Sequence, residues 1–279
     1  MNGSVKGFLA LLGVGTAAML GFKGYQALEA RKTAGLTSDA GHIKGRIRVG
    51  VDNWIGYFPL GSPHLRRLML SAGYLLECVD DKADYPGRFK RLKSGDLDLA
   101  VATVDSYLLN AAPVDFPGTI LMVVDQSKGG DAIVARRGKF GDLDNFKGAR
   151  DLKIAFTPAS PSEYLLRSVS VHFDIPELRE KGAWRVEADG SPDALKKLMK
   201  GTVDVAVLWE PDVSRALSDR RFVKLLGTED TENLIVDILV GGRAFAKEQP
   251  EAVAVLMANY FRTLAYYRSH QDEWEADVK

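Results

Sequence analysis

From residue 47 to residue 270, short apolar runs of strand length alternate with segments whose apolar residues recur at helical spacing. In the first half, the runs at 47–51, 74–79, 97–102 and 120–124 predict strands. Between them, Leu65, Leu68, Met69 and Ala72 mark a helix opened by Ser62-Pro63 and stopped at Gly73, and a shorter helix over 85–93 ends at Ser94-Gly95. The alternation then returns, with strands over 132–136, 153–156, 184–187 and 203–208 and helices over 162–173 and 191–200. A further strand at 235–241 precedes a long helix over 249–270, with Val253, Leu256, Met257, Tyr260, Phe261 and Leu264 on one side. The acidic stretch 269–279 reads as a fraying end that stops without a helix cap, as a piece of a longer product would. Strand–helix–strand alternation of this kind predicts an α/β fold with parallel sheets covered by helices.

Two passages resemble each other: LKSGDLDLAVAT (92–103) and LMKGTVDVAVLW (198–209). Generic α/β sequence explains the likeness, and so do two equivalent lobes whose loops face one cleft. Ligands of open parallel sheets sit beyond the carboxyl ends of the strands, where loops and helix starts offer unpaired N–H groups. The loops at such ends are 52–57, 103–107, 127–131, 157–164 and 209–212. Trp54 and Tyr57 are either a lid packed on the core or the apolar wall of a pocket, and Trp209-Glu210 brings another tryptophan to the equivalent end of the second half. Thr157, Ser160 and Ser162 stand just before a helix, and Ser160-x-x-Glu163 has capping-box spacing. A cap explains one serine and Glu163; the remaining hydroxyls suit an anion at the helix start.

Composition narrows the function. The chain has 279 residues, 46% hydrophobic and 27% charged, enough for one large core or two smaller ones. Lys+Arg and Asp+Glu are both 37, so no net field recruits nucleic acid, and none is expected as a partner. The single Cys78 has no internal disulfide partner, and His42, His64, His172 and His270 are scattered, so neither a metal nor a cofactor is expected. GxSxG, phosphate-loop and HExxH motifs are missing, no nucleophile–base pair stands out, and the chain reads as a non-enzyme. Asp80-Asp81-Asp84 and Glu229-Asp230-Glu232 read as solvated surface turns. Residues 7–22 carry no charge. That run exceeds the apolar part of a signal peptide, about 7–15 residues, and falls short of a comfortable span of about 20. An uncleaved anchor is favoured over a cleaved signal, with a polar linker following. Lys23, Arg31 and Lys32 outnumber Lys6, which by the positive-inside bias would keep the C-terminal side cytoplasmic.

The motifs RIRVGVDNWIGYFPL, SGDLDLAVATVDS, TPASPSEYLLR and GTVDVAVLWEPDV resemble those of the type 2 periplasmic substrate-binding proteins, over about residues 46–270. The likeness is to the nitrate/sulfonate/taurine and thiamine-precursor branch of ABC-transporter receptors, SsuA-like. It implies two Rossmann-like lobes joined by a hinge: lobe 1 at 46–130, lobe 2 at 131–236 and a return to lobe 1 with a C-terminal helix at 237–279. An anchor or signal at 1–32 and a linker at 33–45 precede them. It also implies that Asp52, Trp54, Tyr57, Thr103, Asp105, Ser160, Ser162, Trp209 and Glu210 contact ligand. The implied function is an exported solute-binding protein, periplasmic or extracytoplasmic; the family usually carries a clean signal peptide or a lipidated cysteine, and here the run at 7–22 reads instead as a tether to the inner membrane. The protein would hold a small anionic or zwitterionic ligand and serve ABC-transporter membrane subunits. None of the candidate positions is an arginine, and Arg136, Arg137 and Arg167 are the nearest that could clamp a sulfonate or nitrate. The alternatives are a ligand-sensing or assembly module on the same fold and a menaquinone-pathway-like enzyme. A thiamine-pyrimidine synthase would need a cysteine-rich motif that a lone Cys78 does not supply.

Overall fold

A computed structural model describes residues 43–179 and 182–278. The expected anchor at 7–22 and the linker up to residue 42 lie outside the described residues. Among the described residues no helix is long and apolar enough to cross a membrane. The chain runs through β1 (Gly45–Val51), α1 (Pro63–Ser71), β2 (Tyr74–Asp80), α2 (Tyr85–Ser94), β3 (Leu99–Thr103), α3 (Val104–Ala111) and β4 (Gly118–Gln126). It continues through β5 (Asp131–Arg136), β6 (Ile154–Phe156), α4 (Pro161–His172), β7 (Arg185–Glu187), α5 (Gly190–Lys200), β8 (Val205–Trp209), α6 (Asp212–Leu217) and β9 (Phe222–Gly227). It closes with β10 (Val236–Gly242), α7 (Arg243–Glu248), α8 (Pro250–Ser269) and α9 (Gln271–Val278).

Among the described residues the strands form two five-stranded sheets, ordered β2-β1-β3-β10-β4 and β7-β6-β8-β5-β9. In each, the first three strands are parallel, as their βαβ connections require. The fourth position departs from the all-parallel expectation. There β10 runs antiparallel to β3 and β4, and β5 antiparallel to β8 and β9. Both are strands that arrive from the other sheet, and arrival from outside reverses their direction. The chain therefore crosses between sheets twice, from β4 to β5 and from β9 to β10.

Alternate residues of each central strand serve opposite faces. In the first sheet Ile47, Val49, Leu99, Val101 and Leu239 pack under Leu65 and Met69 of α1 and Leu256 and Tyr260 of α8. Ala100, Ala102, Ile238 and Val240 meet Phe89 and Leu92 of α2 on the other face. The second sheet divides likewise, with Ile133, Ile154, Phe156 and Val205 against α4 and Ala132, Val134, Ala155 and Ala206 against α5. The buried stripe of α8 differs from the one expected: it includes Asn259 and Thr263, whereas Phe261 is 52% exposed. Thr263 is tolerated there because its hydroxyl donates to the Asn259 carbonyl at 2.8 Å. The expected fraying end is also corrected. Residues 271–278 form α9, held by the Tyr267 hydroxyl on Asp277 at 2.6 Å and an edge contact between Phe58 and Trp274.

Candidate ligand-binding cleft

The two crossovers lie side by side and are pinned by one buried hydroxyl. Thr228 Oγ1 accepts from the backbone N–H of Gly129 at 2.9 Å and of Asp131 at 3.2 Å, and lies 2.7 Å from Ser127 Oγ. The backbone closes the same junction, with Ser127 N–H donating to the Ile235 carbonyl at 3.0 Å. The carboxyl ends of β1, β3 and β8 point their loops toward this junction. At the end of β1 the Asp52 carboxylate accepts from the Trp54 N–H at 3.0 Å, which turns the chain and sets the indole across the gap. Small residues make room for it: a Cβ on Gly130 would meet the Trp54 ring at 2.2 Å, and one on Gly56 would strike the Asp125 carboxylate at 1.7 Å.

What forms is a narrow inner compartment of about 10 Å³, lined by Asp52, Trp54, Tyr57, Tyr85, Thr103, Asp131, Pro161, Trp209, Ile235 and Asp237. Residues of both sheets meet across it, and Trp209 Nε1 donates to Asn53 Oδ1 at 3.1 Å. Trp54 Nε1 donates to Asp125 Oδ2 at 3.2 Å, the Tyr57 hydroxyl to Asp237, and the Tyr85 hydroxyl to Asp52 at 3.2 Å. Arg88, fully buried, reaches Asp52 at 3.0 Å, Asp81 at 2.7 Å and the Val101 carbonyl at 2.8 Å. Burial alone would lower the Arg88 pKa, but its carboxylate partners outweigh burial and hold it well above the usual value.

Among the described residues Asp131, Asp237 and Asp105 form no ion pair. Burial pushes Asp131 up to about 7 against the opposing Ser127 hydrogen bond, with Asp105, Asp125 and Asp52 adding to the rise. Asp237 is raised well above the carboxylate range by burial and then by Asp125, its partner across the β10–β4 register. Asp105 rises to about 6, mainly through burial.

An outer vestibule of about 620 Å³ adjoins this compartment, sharing the starts of α3 and α4 and the second crossover. Val104, Asp105, Leu108 and Leu109 of α3 face Ser160, Glu163, Tyr164 and Arg167 of the α4 end there. Arg167 is paired with Glu163 at 3.0 Å. Arg136 and Arg137 are engaged elsewhere, near Asp204 and on the Phe222 carbonyl.

Of the residues singled out in the sequence, Asp52, Trp54, Tyr57, Thr103 and Trp209 share the inner compartment, and Asp105 and Ser160 line the vestibule. Thr103 caps α3 through a box with Ser106. Ser160 caps α4 by accepting from Ser162 N–H at 3.1 Å, while Glu163 accepts from Ala159 N–H at 2.9 Å. The Ser162 and Thr157 hydroxyls are buried without a partner among the described residues. Glu210 turns along α6 and accepts from Ser214, at 3.1 Å from the backbone N–H and 2.8 Å from the hydroxyl. Sequence reasoning missed Tyr85, Arg88, Asp125, Asp131 and Asp237. Only Asp237 had a plain signal, as a lone acid inside the apolar run Ile235–Gly241.

No protein-family profile matches the sequence, and no curated protein matches it. Among solved structures, the chain is similar to the periplasmic aliphatic sulphonate binding protein SsuA from Escherichia coli, at 18% identity and a TM-score of 0.63 over 84% of this chain and 77% of that one. It is similar to the alkanesulfonate-binding protein SsuA from Xanthomonas axonopodis pv. citri bound to MOPS, at 18% identity and 0.67 over 84% and 78%. A histidine kinase sensor domain with similarity to periplasmic binding proteins matches at 16% identity and 0.54 over 82% and 95%. The chain thus has the periplasmic-binding-protein fold, and SsuA-like sulfonate-binding proteins of ABC importers are among its structural neighbours.

Proposed function

We propose that the chain is a solute-binding protein that holds a small molecule between two lobes, 46–130 with 237–279 and 131–236, and presents it to an ABC-type transporter outside the cytoplasm. The observation that carries this reading is the meeting of loops from both sheets, Asn53 and Trp54 against Trp209, directly above the paired crossovers. A compartment of about 10 Å³ is no larger than a single water requires, so a ligand is admitted only when the lobes part. Two short crossovers beside each other are the hinge that such parting needs, and a ligand favours the closed form by touching both lobes. The residues proposed to touch it are Asp52, Trp54, Tyr57, Thr103, Asp105, Ser160, Ser162, Trp209 and Glu210. The run at 7–22 is proposed as the inner-membrane anchor.

A second reading, a ligand-sensing or assembly module, draws support from the same narrowness and from the sensor-domain neighbour. The two are separated by thermal-shift screening of the full chain against small anions, amino acids and amines. For a receptor, one compound stabilises the chain, and Trp54→Ala or Trp209→Ala weakens its binding by about 1–3 kcal/mol while the fold survives. Unchanged affinity in both variants would remove the tryptophans from the site. Silence across the whole panel would favour the assembly module.

A further inference from the structure

We propose that the inner compartment selects a small organic cation, a substituted ammonium group held by Asp131 and Asp237 among aromatic rings, rather than an anion. This rests on the solute-binding reading and names the charge of its ligand. Asp131 and Asp237 are each 2% exposed and both line the compartment. Among the described residues the Asp131 carboxylate meets one donor, the Ser127 hydroxyl at 2.6 Å, and no cation. Asp237 receives the Tyr57 hydroxyl and is hydrogen-bonded to Asp125, which keeps one buried oxygen without a partner among the described residues. Arg88, which touches the lining residues Asp52 and Tyr85, is already shared by Asp52 and Asp81.

Within the first lobe the donors that would hold a sulfonate are committed: the Trp54 indole N–H goes to Asp125, the Tyr85 hydroxyl to Asp52 and the Thr103 hydroxyl to Ser106. The Trp209 indole N–H, on Asn53 across the lobes, is released when they part. Once Asp131 and Asp237 ionise, a buried anion here would lie against like charge in a compartment closed to water, the arrangement that makes burial of a charge most costly. A cation would instead complete the carboxyl groups, and Trp54, Tyr57 and Trp209 line the same compartment with rings of the kind that attract ammonium groups, while the Tyr85 ring already carries Arg88 at 4.7 Å. Among the described residues no three His, Cys, Asp or Glu side chains are grouped to hold a metal ion, which favours an organic cation over a metal.

Binding of a cation expels the protons these acids hold, so its affinity rises with pH. The groups that face Asp131 and Asp237 are Asp52 at the end of β1, Tyr57, Tyr85 of α2, Asp105 of α3, Asp125 of β4 and Tyr260 of α8. The test is titration calorimetry of the full chain with choline, tetramethylammonium and methylammonium chlorides, and with methanesulfonate, nitrate and calcium salts. The expected result is binding of an ammonium salt, about tenfold tighter at pH 8 than at pH 6, and weakened about 30-fold or more by Asp131→Asn. Asp237→Asn provides a second variant, circular dichroism checks both folds, and the wild-type pH trend decides the matter if neither folds. Binding of methanesulfonate, nitrate or calcium, or an ammonium affinity that ignores pH and both substitutions, overturns the cation assignment and leaves the receptor reading standing. No binding of any salt overturns the cation assignment and counts against the receptor reading too.

Discussion

The Arg88 guanidinium is 0% exposed and bridges Asp52 at the end of β1 to Asp81 after β2, so one buried side chain fixes two loops of the first lobe. Its removal would leave two carboxylates without their cation. Arg88→Met is expected to destabilise the fold by about 3–5 kcal/mol, measured by denaturant unfolding. Asp131 acts in the opposite sense because it has no cation. Its folded pKa of about 7 lies above the unfolded carboxylate value, so its contribution to stability is fully present below about pH 4 and is lost as pH rises toward 7. Stability should therefore rise on acidification from pH 7 to pH 5, by up to about 1.4 kcal/mol per pH unit and seen as a higher melting temperature, and Asp131→Asn should flatten that slope. A slope unchanged by the substitution would place the titration elsewhere. At this scale Trp54, Tyr57 and Trp209 were legible as aromatics just past strand ends, but the choice between a lid on the core and a pocket wall was not, since Trp54 and Tyr57 both pack on the core and line the compartment. Asp125 and Asp131 were not, since their surroundings arise from the β10–β4 register and the crossover, which local sequence does not encode.

Individual strands and helices were read well where apolar runs were bounded by glycine or a cap, as in α2, whose Gly95 takes a left-handed C-cap at φ 78°. β9 escaped notice because Phe222–Gly227 is only partly buried and carries Lys224 in its middle. Strand direction was misread for β5 and β10 because composition does not record which sheet a strand comes from. The crossovers themselves rest on Thr228, which is fully buried and joins Ser127, Gly129 and Asp131. Thr228→Val keeps the shape and removes the acceptor, leaving buried N–H groups unpaired. The expected loss is about 1–3 kcal/mol, read from the unfolding midpoint. A loss below about 0.5 kcal/mol would mean that water replaces the hydroxyl and that the crossovers are not pinned by it.

Taken as a whole, the molecule is two sheets of the same strand order, each completed by a strand from the other half, with aromatic and acidic residues at their common boundary. This two-sheet plan was foreshadowed by the likeness of 92–103 to 198–209, whereas the acidic lining of the cleft was not, because it depends on which acids the two halves bring face to face. A two-lobed receptor must change its inter-lobe distance when it takes up its ligand. The decisive measurement is pulsed electron paramagnetic resonance on spin labels at Lys90→Cys in α2 and Lys196→Cys in α5, both exposed, in a Cys78→Ser background. A receptor gives a distance distribution that shifts and narrows with one class of added salt. A single distance, identical with and without every ammonium, sulfonate and nitrate salt, would contradict the hinge and the solute-binding function together.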